Sequence, residues 1–157
     1  MTPTIRPATP HDTPQVLALM CALAQHHGEV ATTSLPILHH QIFELGLGRI
    51  LVAAEEDGLV GYALVLPRPN LVSGGASHDI HHLFVVEWRR RAGIGGALIA
   101  AAAVVSRAER AEGLTISAQI ANHGAQAAYR SMGLAELPLF GVRFRVDLNE
   151  AAPAPPL

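Results

Sequence analysis

The sequence predicts an α+β domain built around one sheet. Three observations carry that expectation. Val16, Leu19, Met20 and Leu23 recur at helical spacing, and the Ala-rich stretch from Ile94 to Glu112 has high helix propensity. Three apolar segments, Arg49 to Ala54, Leu59 to Pro67 and Asp79 to Val86, read as strands, the first two joined by the turn Glu55-Glu56-Asp57-Gly58. Strand–helix–strand units follow these hairpins, giving the order β-α-α-β-β-β-α-β-α-β-β.

The remaining elements follow from local chemistry. Thr4 to Arg6 reads as a short strand ahead of Pro7 and Pro10. Asp12 or Thr13 caps the first helix, Pro14 is tolerated in its first turn, and Gly28 closes it. Ser34 caps a second helix that runs through Ile37, Leu38, Gln41, Ile42 and Leu45 to Gly46. Gly61, inside an apolar strand, marks a bulge or a close backbone approach. Pro69 to Ser77 is a loop, Gly113 stops the long helix, Thr115 to Ile120 is a strand, and Gly124 to Met132 is a helix ended by Gly133. Leu134 to Leu137 and Val142 to Leu148 read as short strands. Residues 1–150 read as a single domain, and Ala151 to Leu157, with three prolines, as a frayed tail.

Composition narrows the function classes. Half of the 157 residues are hydrophobic and 15% are charged, which excludes a disordered chain. Eleven basic side chains face 13 acidic ones, for a net charge of −2, so no pull toward nucleic acid or an anionic membrane is implied. All 11 basic residues are Arg, which excludes Schiff-base chemistry and a P-loop lysine. Cys21 is the lone cysteine, which excludes an intramolecular disulfide and a Cys-rich zinc site; it reads as a small core residue beside Met20. No apolar run reaches the ~18 charge-free residues of a membrane span, and Met1 to His11 lacks a signal-peptide pattern. The expectation is cytoplasmic. Nine histidines include the adjacent pairs His26-His27, His39-His40 and His81-His82, but neighbouring side chains diverge, so no metal is expected.

The informative stretch runs from Ile80 to Leu98, where an apolar strand enters an Arg- and Gly-rich loop that opens the long helix. A helix start leaves backbone N–H groups unpaired and carries partial positive charge. Glycines let a phosphate approach those groups, and Arg89, Arg90 and Arg91 add charge beside them. The Rossmann spacing fails at Leu98. What remains is Arg90-x-x-Gly93-x-Gly95 directly after a strand. Trp88 covers this loop or simply packs, and Arg89 reads as a solvated charge.

Ile80 to Gly95 resembles the cofactor motif of the GNAT family of acetyl-CoA-dependent N-acetyltransferases, and the resemblance covers nearly the whole chain. Ile5-Arg6-Pro7-Ala8 is similar to that family's opening strand, Asp57 to Ala63 to its second hairpin, and Asn122 to Gly133 to its second cofactor motif. The resemblance implies a mixed, mostly antiparallel sheet of about seven strands with about four helices, splitting in a V between the fourth and fifth strands. The pantetheine arm of acetyl-CoA would pair with backbone at Phe84, Val85 and Val86. Its pyrophosphate would sit on the N–H groups of Arg91, Ala92, Gly93, Ile94, Gly95, Gly96 and Ala97, beside Arg90. Asn122 would bond the cofactor arm, and Tyr129, which also borders the cofactor, would be the general acid. No metal takes part. The polyamine-acetylating branch resembles this chain especially, and carries Glu where His81 stands.

The reaction so implied is direct attack of a primary amine of a small molecule, polyamine- or amino-acid-like, on the acetyl thioester. An alkyl amine has a pKa near about 10 and must lose a proton first, and a tyrosine phenol, also near about 10, is protonated and ready to donate. His81, His82 and Asp79 are the candidate bases, as is a water relay, with His81 at the position of the branch's Glu. Strand alternation puts Asp79, His81, Leu83 and Val85 on one face and Ile80, His82, Phe84 and Val86 on the other. Two other function classes fit parts of the pattern: a non-catalytic acyl-CoA-binding module, which needs no Tyr129, and a protein N-acetyltransferase. A homodimer is an expectation by analogy with the family.

Overall fold

The structure, a computed structural model, describes residues 2–138 and residue 144. The chain forms two compact units, residues 1–120 and 121–157.

In the first unit the strands are β1 (Thr4–Pro7), β2 (Arg49–Glu55), β3 (Gly58–Pro69), β4 (Ala76–Val85) and β5 (Gly113–Ile116). They form one sheet in the order β1-β2-β3-β4-β5. The first four pair antiparallel, and β5 lies parallel to β4. The helices are α1 (Thr13–His26), α2 (Leu35–His39) and α3 (Ile94–Ala108). A parallel partner for β4 needs a crossover, and α3 supplies it.

The two faces of the sheet carry separate cores. On one, Val16, Leu19, Met20 and Leu23 of α1 and Leu38 of α2 pack against Ile50, Val52, Tyr62, Leu64 and Phe84. On the other, Ile94, Leu98 and Ala102 of α3 cover Leu51, Ala53, Val60, Ala63, Val65 and Ile80. Each large side chain so buried stabilises the fold by about 1.5–3 kcal/mol. The small residues Ala53, Ala63 and Ala102, all fully buried, let α3 lie close on the sheet. The start of α1 is fixed from below: Asp12 accepts from both Arg6 guanidinium ends at 2.7 and 2.9 Å and from the Thr9 N–H at 2.7 Å. Asp12 stands at the N-cap of α1, yet its carboxylate serves the preceding turn, Pro10–Asp12.

Several expectations are corrected. Five strands form among the described residues rather than seven. Leu134 to Leu137 is not a strand, while the strand expected at Val142 to Leu148 and the tail at 151–157 lie outside the described residues. The second helix does not continue evenly: α2 widens into a π turn at His40–Glu44. Helix α3 ends at Ala108, before Gly113, because Arg110 takes a left-handed conformation, φ 61°, and the Ala111 N–H bonds back to the Ser106 carbonyl. The strand expected over Thr115 to Ile120 is β5, four residues ending at Ile116. Cys21 is exposed, on the side of α1 away from its buried stripe. Gly61 does mark a close approach. A Cβ there would stand 2.8 Å from the Phe84 carbonyl oxygen, and its neighbour Val60 is the extra residue of a bulge against β2.

Candidate active site

The site begins at a second bulge. β4 pairs with β3 so that Leu64 faces His82 and Val65 faces Ile80, leaving His81 as an extra residue. Pairing with β5 stops at the same place: it covers Ser77 to Ile80 and goes no further. From His81 to Val85, β4 has no strand partner but β3 among the described residues, so its other edge is open with respect to those residues. The Val86 N–H turns inward to the Val60 carbonyl at 3.0 Å, while the Val85 carbonyl is reached by Arg90 Nε at 3.0 Å.

The bulge also corrects the strand alternation. Ile80 packs against α3, whereas Phe84 packs against α1. His81 and His82, expected on opposite faces, stack with ring centroids 4.9 Å apart and planes at 24°. Both bulged residues turn to the side of Asp79. The His81 Nδ1 lies 4.0 Å from Asp79 Oδ2, beyond hydrogen-bond range but within electrostatic reach. Thr115 of β5 donates to Asp79 Oδ1 at 2.6 Å and fixes that carboxylate. His81 is exposed, with a side-chain accessibility of 56%.

Behind this pair lies a residue that sequence reading passed over. Tyr62 of β3 is fully buried, and its hydroxyl is 3.0 Å from His82 Nδ1. Burial raises the Tyr62 phenol well above its usual range, with Cys21 adding to the effect. Burial, and then the charges of His81 and His27, push His82 down to about 4. The available signal was a tyrosine inside an apolar strand, which needs a partner for its hydroxyl.

Beyond β4 the chain makes one 3-10 turn, Glu87–Arg89, and reaches α3 through Arg91 (φ 61°) and Gly93 (φ 77°). These two left-handed residues turn the chain so that the helix opens at Ile94. The first intrahelical bond is Ala97 N–H to the Gly93 carbonyl at 3.0 Å. The N–H groups of Ile94, Gly95 and Gly96 therefore precede the helical ladder. A Cβ placed on Gly95 or Gly93 meets nothing within 4 Å, so space stands open above them. Arg90 and Arg91 are exposed beside this helix start, with Ala92 between Arg91 and Gly93, and the Arg90 guanidinium lies 5.7 Å from the Phe84 ring centroid. Arg89 is not a solvated charge: it pairs with Glu55 of β2 in a part-buried bridge. Trp88 does not simply pack: it is 72% exposed. A shallow pocket of about 220 Å³ lies against Phe84, Glu87 and Arg90 and is closed by Ala22, Gln25 and His26 of α1. Phe84, Val85, Val86, Arg90, Arg91 and the residues Ala92 to Ala97 thus form one continuous strand–loop–helix unit.

In the second unit α4 spans His123–Ser131. Asn122 caps it, its side-chain oxygen accepting from the Ala125 N–H at 3.1 Å, so the amide NH₂ remains as its donor. Tyr129 is half-buried on this helix, and burial pushes its phenol up. No cluster of three or more metal-ligating side chains occurs among the described residues.

An open strand edge that runs into a glycine-opened helix start offers extended backbone that can pair with a ligand and amides that can hold an anion. The chain belongs to the acetyltransferase (GNAT) family, whose sequence profile matches residues 17–134. It is an acetyl-CoA-dependent N-acetyltransferase. Solved structures agree in fold. An integron cassette protein from the mobile metagenome of V. cholerae superposes with a TM-score of 0.77 at 20% identity, covering 94% of each chain. An aminoglycoside acetyltransferase from an uncultured soil metagenomic sample, in complex with sisomicin, gives 0.79 at 19% identity over 92% of this chain and 96% of that one. A ribosomal-protein-alanine N-acetyltransferase from Brucella melitensis gives 0.70 at 20% identity over 90% and 99%. No curated protein sequence matches the chain.

Proposed function

We propose that this enzyme transfers the acetyl group of acetyl-CoA to a primary amine of a small molecule, polyamine- or amino-acid-like, by direct attack in a ternary complex. The observation that carries the reading is the coincidence, on one strand–loop–helix unit, of the open β4 edge from His81 to Val85 with the unladdered N–H groups of Ile94, Gly95 and Gly96. Acetyl-CoA supplies the activated thioester. The Phe84–Val86 backbone pairs with its arm, and Arg90 exchanges the Val85 carbonyl for the diphosphate. The N–H groups of Arg91 to Ala97 hold that diphosphate, and Asn122 offers its amide NH₂ to the arm.

His81 takes one proton from the incoming ammonium, and the Asp79 carboxylate steadies the imidazolium that results. The amine nitrogen bonds to the carbonyl carbon as the carbon–sulfur bond breaks. Tyr129 protonates the departing thiolate, and the second proton lost by the acylated nitrogen passes through solvent to restore the phenol. The fold relatives named above include an aminoglycoside acetyltransferase, whose sisomicin complex supports a cationic polyamine-like acceptor.

The test is a panel of polyamines, amino acids, aminoglycosides and N-terminal peptides with acetyl-CoA, read by thiol release. Turnover with a small amine supports the proposal. Turnover confined to peptides would make the chain a protein acetyltransferase, and binding without turnover would make it a carrier module. Tyr129→Phe is expected to cut kcat at least tenfold while acetyl-CoA affinity, by calorimetry, stays within twofold.

A further inference from the structure

Two imidazoles stacked 4.9 Å apart do not both take a proton readily, because like charges repel. Something must decide which of them does. The Tyr62 hydroxyl is buried and its only acceptor among the described residues is His82 Nδ1, 3.0 Å away. Were Nδ1 to carry a hydrogen, the phenolic O–H would be a buried donor without an acceptor, which costs about 1–3 kcal/mol. The hydrogen-bond network thus assigns Tyr62 as the donor, Nδ1 as the acceptor and the Nε2–H tautomer to His82.

We propose that Tyr62 is a positioning residue that keeps His82 neutral, so that His81 alone of the stacked pair receives the proton of the acceptor amine. The inference rests on the N-acetyltransferase reading and adds to it the choice of base. His82 is surrounded accordingly. Tyr62 faces it from β3, His81 stacks on it from β4, and His27 at the end of α1 adds like charge when protonated. The Asp79 carboxylate, held by Thr115 of β5, lies on the His81 side of the pair at 4.0 Å and so favours charge on His81. Burial first, and then Cys21 of α1, raise the Tyr62 phenol, so it stays a donor. Burial, first among the causes that push His82 down to about 4, acts in the same direction as the Tyr62 bond.

The test has an arm that needs no turnover. In ¹⁵N-histidine NMR of the whole chain, His82 is expected as the neutral Nε2–H tautomer down to pH 5. In Tyr62→Phe, which keeps the buried ring, that preference is expected to collapse to a mixture of tautomers. A wild-type His82 in the Nδ1–H form, or identical His82 spectra in both proteins, would overturn the proposal whatever the activity. In the kinetic arm, Tyr62→Phe should displace the acid limb of kcat/KM by at least half a pH unit at constant acetyl-CoA KM. His82→Gln, neutral at every pH, should leave that limb in place. Loss of the limb in His82→Gln would make His82 the base. Absence of any turnover in the wild type would sink the acetyltransfer reading, whereas the NMR arm judges the Tyr62 assignment by itself.

Discussion

Gly95 stands in open space, since an added Cβ meets no atom within 4 Å. Its backbone φ is not left-handed either, so the fold alone does not call for glycine there. The diphosphate proposed at the helix start does. Gly95→Asp is therefore expected to change folding stability by no more than about 0.5 kcal/mol, as for an unconstrained surface site. It should weaken acetyl-CoA binding more than tenfold, about 1.4 kcal/mol, by filling the space and adding like charge. Calorimetry and thermal unfolding on one preparation separate the two effects; equal affinity would remove the helix start from the binding site. Asp12 gives the opposite kind of residue, one the fold needs and the chemistry does not. Arg6 above all, and then Thr9, hold its carboxyl well below the ordinary range against the opposing effect of burial. A depressed folded pKa means that the stabilisation is full above the unfolded value of about 3.9 and is lost as pH falls through the folded one. Asp12→Asn is expected to lose about 1–3 kcal/mol at pH 7, and the gap to wild type should shrink as acid is added below pH 4. Urea titrations at several pH values measure it.

Among the elements, those with strong periodicity were legible. The stripe Val16, Leu19, Met20, Leu23 is the buried face of α1, and Leu98 and Ala102 are buried in α3 as a helix would have them. Gly61 announced its close contact because only glycine leaves room for a carbonyl at 2.8 Å. The bulge at His81 was not legible, since no glycine or proline marks it. Missing it reversed the faces of the strand and separated His81 from His82, which the fold stacks. Tyr62 was overlooked for a related reason: its role depends on a register that pairs it with Phe84 and sets its hydroxyl toward the next residue but one. The turn from β4 into α3 at Arg90–Gly95, by contrast, was readable because the strand end, the glycines and the helix start lie in one short stretch of chain. Gly61→Ala tests how much the β3–β4 seam tolerates. The added methyl is expected to destabilise the domain by about 1–3 kcal/mol, as overpacking does, and to disturb the His82 resonances across the seam. A shift of less than 0.5 kcal/mol would mean that the strands part without cost there.

For the molecule as a whole, cofactor grip and global stability are one linked quantity. A ligand that binds only the folded state adds RT ln(1 + [L]/Kd), about 2.7 kcal/mol at one hundred times Kd. For a domain of this size each kcal/mol moves Tm by about 2–4 °C, so acetyl-CoA at that excess is expected to raise Tm by about 5–11 °C. Acetyl-pantetheine, which has the arm but no diphosphate, isolates the contribution of the α3 start, because it can pair along β4 and nothing more. Its shift at the same concentration should be a small fraction of that given by acetyl-CoA. The net charge of −2 works against a diffuse attraction of the anionic carrier, so the difference between the two ligands has to come from the local amides and from Arg90 and Arg91. Raising the salt to 0.5 M should therefore trim the acetyl-CoA shift without abolishing it, since hydrogen bonds from fixed N–H groups are screened far less than exposed charges. Equal shifts from the two ligands would place all recognition on the strand edge and leave the glycine-opened helix without a part in it.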